Sequence, residues 1–136
     1  MNYLTNDLET AAPATVGEGS AGETAKGTGT VMAEYVQVLT TVDSEEAGVT
    51  LGRGIVEARL AACVQIVGPI RSLFWWEGKV DDAREWQLLM KTTSERLPAL
   101  QEHIKANHGY DTPEIIETEI VGGSAEYLAW VSEETR

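Results

Sequence analysis

The segment from Ala58 to Lys79 restricts the possible folds more than any other part of this chain. Leading into it, Val49, Ile55 and Val56, with Leu60 inside it, recur at helical spacing. Within a few residues the pattern changes. Ala61 to Ile66 and Ile70 to Trp76 are almost continuously apolar, β-branched or aromatic, as in a strand. Gly68-Pro69 interrupts the run, and proline has no N–H to give to a ladder, so a bend or bulge is predicted there. Glu77 to Arg84 is charged and reads as a turn, and Glu85 to Thr92 reads as the returning strand of a long hairpin.

The flanking segments complete the order. Tyr35 to Val42 is β-branched and aromatic, hence a strand. Asp43 or Ser44 is placed to cap a helix, with Glu45 and Glu46 favourable against its dipole. This helix runs through Glu57, and Gly48, Gly52 and Gly54 suit close packing on a sheet. A phosphate loop is not indicated, because Gly52-Arg53-Gly54 lacks the Lys-Ser/Thr ending. Ser94 is the expected cap of a second helix carrying Leu97, Leu100, His103 and Ile104, with Pro98 tolerated in its first turn. Ile115, Ile116, Ile120 and Val121 mark a fourth strand, and Ser124 caps a final helix. The order βαββαβ with an added C-terminal helix predicts an α+β, ferredoxin-like fold, with helices over one face of an antiparallel four-stranded sheet.

The chain has 136 residues, which predicts one domain, and its 43% apolar content is enough for a core. Residues 10–30 hold no aromatic and one larger aliphatic, Val16, so residues 1–32 read as a disordered tail, leaving 33–136 as the folded domain. Met32 is an alternative start. The net charge is −12; four acids and one base before residue 33 leave −9 to the domain. Such a surface repels phosphate backbones, so nucleic acid is not an expected partner. No secretory leader and no apolar run long enough for a membrane span is visible. A single cysteine excludes an intrachain disulfide and fits a reducing compartment, so a cytoplasmic protein is expected.

Phe74, Trp75, Trp76 and Trp86 all lie on the hairpin. Neighbouring strand residues point to opposite faces, so Trp75 and Trp76 cannot share one core, and an intersubunit contact is expected for these aromatics. Cys63 follows two alanines in an apolar run; it is either a small core residue or a soft metal ligand. His108 precedes the fourth strand with Asp111 and Glu114 nearby, a set suited to copper, zinc or nickel. The alternative is a histidine closing the C-terminus of helix two. Of the two ligand candidates His108 is the more accessible, and His103 is the weaker histidine, since a gap of five separates the pair on the chain.

Three blocks together resemble the CutA family of divalent-cation tolerance proteins: Ala58-Arg59-Leu60-Ala61-Ala62-Cys63-Val64-Gln65-Ile66, then Ser72-Leu73-Phe74-Trp75-Trp76-Glu77-Gly78-Lys79, then His108-Gly109-Tyr110-Asp111-Thr112-Pro113-Glu114. The last block keeps His108, Tyr110, Pro113 and Glu114 of the family pattern, while Gly109, Asp111 and Thr112 depart from it. The resemblance spans Glu34 to Trp130. It implies a homotrimer, a bound divalent metal ion with copper favoured and zinc possible, and a site at a subunit cleft, with no enzymatic activity. Tyr110, Lys91, Arg59 and Arg71 are further candidates for lining such a cleft. A few converging bases would instead suit a small anionic metabolite, as in PII-like signalling modules, and this is the competing function. An acylphosphatase on the same fold is disfavoured, because Thr40-Thr41-Val42-Asp43-Ser44 offers no basic residue.

Overall fold

The computed structural model describes residues 33–136; the tail expected over 1–32 lies outside the described residues. The elements are β1 (Tyr35–Val42), α1 (Glu45–Glu57), β2 (Cys63–Trp76), β3 (Lys79–Thr93), a 3-10 turn (Ser94–Arg96), α2 (Leu97–Asn107), β4 (Ile116–Ile120) and α3 (Ala125–Glu134). They form one antiparallel sheet in the order β2-β3-β1-β4. This is the ferredoxin-like arrangement expected from the element order.

Alternation along β1 decides which face is buried. Val36, Val38, Thr40 and Val42 pair with Thr92, Met90, Leu88 and Trp86, and these positions face α1 and α2. Leu51, Ile55, Leu100 and Ile104 of the helices close the core over them. Ser44 caps α1, its hydroxyl oxygen accepting from the Ala47 N–H at 3.0 Å. Gly48 and Gly52 let α1 sit close to the sheet: a Cβ at either would lie 3.2 Å from Leu88 Cδ1 or 3.1 Å from Val64 Cγ1. The third helix does not join the first two. The Tyr35 and Ser132 hydroxyls bond at 2.7 Å, and Cys63 Sγ lies 3.5 Å from the Tyr127 hydroxyl. Tyr35 and Cys63 belong to the opposite alternation of the sheet, so α3 is tied to the other face.

Two local expectations are corrected. Lys79 to Arg84 is strand, not turn; the turn is Glu77-Gly78 alone, both with positive φ (50° and 82°), as a two-residue hairpin turn requires. The charged alternation hid this strand because the protruding ribbon has no buried face to demand apolar residues. Ser94 does not cap α2; its hydroxyl donates to the Ala33 carbonyl at 2.9 Å, and the chain reaches α2 through the 3-10 turn. Pro98 does fall in the first turn of α2.

The bulge at Gly68-Pro69 has a larger consequence. Val67 pairs with Gln87 and Ile70 with Glu85, so two β2 residues stand opposite Trp86 alone, and the Gly68-Pro69 peptide is cis. The extra residue inverts the alternation of β2. Val64 and Ile66 face the helices before the bulge. After it, the even-numbered Ile70, Ser72, Phe74 and Trp76 pair with odd-numbered β3 residues, on the other side. Those four are half-buried, while Leu73 and Trp75 are 66% and 72% exposed, with Val80 opposite Trp75 also exposed. Beyond Trp86, β3 has no β1 partner, so Lys79–Glu85 is paired on one side only among the described strands.

Candidate functional site

Where β1 ends, the loop after α2 folds back against the sheet. His108 follows α2 and is half-buried. Its Nε2 lies 2.8 Å from the Thr41 carbonyl, which can only accept, so Nε2 carries the proton. The Tyr110 N–H donates to His108 Nδ1 at 3.0 Å. Tyr110 is 4% exposed, and its hydroxyl donates to Glu85 Oε2 at 3.0 Å. Glu85 is itself 5% exposed and stands one residue beyond the last β3 position paired with β1. The His108 and Tyr110 rings lie 4.9 Å apart at 41°.

The electrostatics follow from this crowding. Burial pushes the His108 pKa down, opposed by the Thr41 carbonyl and by the charges of Asp43 and Glu85. Glu114 is exposed as a residue, yet crowding about its carboxyl raises its pKa, and the negative charge of Glu85 raises it further. Asp43 and Glu85 each stand one residue beyond the last β1–β3 pair, Val42 and Trp86, and the charge of Glu85 is felt at both His108 and Glu114. Asp111 is exposed in the same loop.

The other candidate residues lie elsewhere. Cys63 begins β2, is half-buried and contacts Tyr127, whose pKa is pushed up to about 12, chiefly by that contact and then by burial. Lys91, opposite Cys63 across the ladder, donates to Gln65 Oε1 at 2.6 Å. Arg71 makes a two-pronged pair with Asp82, both bonds 3.0 Å, holding the Asp82 carboxyl below its ordinary range. Arg59 has φ 60°, in the left-handed region, where the Leu60 N–H bonds the Ile55 carbonyl and ends α1. Its guanidinium reaches Glu134 of α3, bonding the carbonyl at 3.1 Å and Oε1 at 3.0 Å. Within one chain these three cations each have a different partner, Gln65, Asp82 and Glu134. Trp86 packs against the core rather than standing on the protruding ribbon. His103 packs beside Gly54, joining α2 to α1.

Of the expected ligands, the structure brings His108 and Glu114 into one neighbourhood and leaves Cys63 with α3. Among the described residues, no group of three or more His, Cys, Asp or Glu side chains is arranged to hold a metal ion. The site also contains Thr41, Asp43 and Glu85, which the sequence reading did not single out. Glu85 carried one signal: an acid adjoining Trp86 at the start of an otherwise apolar returning strand.

The model of the CutA1 divalent ion tolerance protein family matches residues 36–134. Similar relatives include the rice (Oryza sativa subsp. japonica) "Protein CutA 1, chloroplastic", 46% identical over 117 residues covering 86% of this chain and 66% of that protein. The "Divalent-cation tolerance protein CutA" of Thermus thermophilus is 47% identical over 98 residues, covering 72% of this chain and 95% of the relative. The solved rice CutA1 structure superposes with a TM-score of 0.75 at 47% identity, covering 76% of this chain and 95% of that one. The Thermus structure gives 0.73 at 45% identity, covering 75% and 99%. This chain spans 66% and 56% of the lengths of the rice relative and of its Arabidopsis thaliana counterpart.

Proposed function

The chain belongs to the CutA1 divalent ion tolerance family, and from that premise we propose that it works as a homotrimer that binds divalent metal ions and contributes to metal tolerance. The observation that carries this reading is the acidic end of β1: Asp43 and Glu85 each stand one residue beyond the last β1–β3 pair, Val42 and Trp86, and Tyr110 ties the loop that bears Asp111 and Glu114 to Glu85, in a chain of net charge −12. Such a region raises the local concentration of cations and offers oxygen donors. Asp111 and Glu114 are the exposed donors there, and the Cys63 thiol is a softer donor on a separate surface. Copper heads the affinity order of the divalent first-row ions for any given donor set, so it is the expected tightest binder, ahead of zinc.

The described residues of a single chain do not make a closed site, so the ion is held weakly by one subunit, and donors from a neighbour complete it. The exposed Leu73, Trp75 and Val80 and the one-sided strand Lys79–Glu85 support assembly through the ribbon. No helix among the described residues is long and apolar enough to cross a membrane. A reducing, cytoplasmic setting is part of the same proposal, supported by the single free thiol.

Calorimetric titration with Cu²⁺ and Zn²⁺ tests the binding. Glu114→Gln should weaken the association at least about tenfold, since it removes a charged oxygen donor. Wild-type affinity in both Glu114→Gln and Asp111→Asn would remove the ion from this loop and make Cys63→Ser the next variant.

A further inference from the structure

His108 is the residue most naturally taken for a metal ligand here, and its surroundings argue otherwise. A ligating imidazole needs a free lone pair on one nitrogen. The lone pair of Nδ1 receives the Tyr110 N–H at 3.0 Å, and Nε2 bears the proton that meets the Thr41 carbonyl at 2.8 Å. Coordination at either nitrogen would break a bond in a half-buried place and leave a backbone group without its partner.

We propose that His108 is a positioning residue of the acidic region, not a ligand: its ring clasps the 108–114 loop to the end of β1 and so sets Tyr110 on Glu85. One nitrogen holds the Thr41 carbonyl near the end of β1, and the other fixes the backbone of Tyr110 two residues on. With that backbone fixed, the buried Tyr110 hydroxyl reaches Glu85 Oε2. Glu85 is thereby held where its charge acts on Glu114. The inference rests on the cation-binding reading only for its consequence; the clasp itself is independent of any ion.

Nitrogen NMR of the imidazole in the full-length protein tests it. Without metal, His108 should show the neutral Nε2–H tautomer with Nδ1 as acceptor. During a Zn²⁺ titration its two nitrogen shifts should stay in place while the Glu114 carboxyl carbon shift moves. A Zn²⁺-dependent coordination shift on either nitrogen, or an Nδ1–H tautomer without metal, would overturn the proposal. Should the Glu114 signal also stay in place, cation binding at this loop fails, and the metal-free tautomer still decides the clasp. Two variants separate positioning from ligation. Asparagine offers a side-chain oxygen to the N–H two residues on. His108→Asn should therefore keep Zn²⁺ affinity within about threefold of wild type, whereas His108→Ala should lose about tenfold. Equal loss in both variants would contradict the clasp.

Discussion

Gly68→Ala is expected to destabilise the domain by about 3 kcal/mol, because the added Cβ has nowhere to go. It would lie 2.6 Å from Cγ and 2.9 Å from Nε1 of Trp86, and closer still to Cδ1. The obstacle is a rigid ring packed against the core, not the end of a flexible side chain. Relief would require moving Trp86 or reshaping the bulge. The bulge in turn decides which side of the ribbon carries Phe74 and Trp76 and which carries Leu73 and Trp75. The effect should therefore extend beyond stability to assembly. Gly109→Ala and Gly122→Ala are the controls, since among the described residues nothing beyond the chain neighbours lies within 4 Å of a Cβ at either. Urea unfolding that places Gly68→Ala level with those two would show that the ring yields freely and that the bulge does not depend on it.

The second large effect belongs to the ribbon. Trp75 is 72% exposed in the single chain, with Leu73 and Val80 beside it. Exposed apolar clusters of this kind mark interaction surfaces, and a central Trp is the residue type that most often dominates them. Trp75→Ala should leave the subunit fold intact, since the ring lies largely outside the subunit core. It should cost the assembly about 2–4 kcal/mol per contact, enough to convert trimer to monomer at micromolar concentration. Trp76→Ala should act differently, because the bulge turns Trp76 to the half-buried side. It should lower subunit stability as well as assembly. Size-exclusion chromatography and far-UV circular dichroism separate the two outcomes. A Trp75→Ala protein that stays trimeric would place the subunit contact away from this stripe.

Local chemistry made most of the fold legible. β1, the Ser44 and Ser124 caps, the break at Gly68-Pro69 and the long hairpin all follow from turn residues, caps and apolar runs within short windows. Failures came where short-range pattern has no structural cause behind it. Lys79 to Arg84 is a strand without an apolar face, because it protrudes from the sheet. Ser94 bonds Ala33, far back in the chain, instead of serving the helix beside it. The even residues of β2 change sides because of one extra residue, and no periodicity argument anticipates that without the ladder register.

The site was half legible for a related reason. His108, Asp111 and Glu114 are neighbours in sequence and stand out by residue type. Asp43 follows the end of β1 and Glu85 lies midway along β3, so they reach this loop only through folding. What occupies the His108 ring is a backbone carbonyl and a backbone N–H, groups that every residue carries and no sequence pattern marks. The converse holds for Lys91, Arg59 and Arg71. They looked available for a common cleft, and folding gave each a different local partner.

Native mass spectrometry of the full-length protein, with and without added Cu²⁺, tests the central claim most directly. It reads subunit number and bound ions in one spectrum. A trimer mass that gains copper when Cu²⁺ is supplied, and loses that gain in Glu114→Gln, is the predicted result. A monomer of 14.8 kDa, or a trimer that takes up no copper at concentrations saturating for weak carboxylate sites, would contradict it.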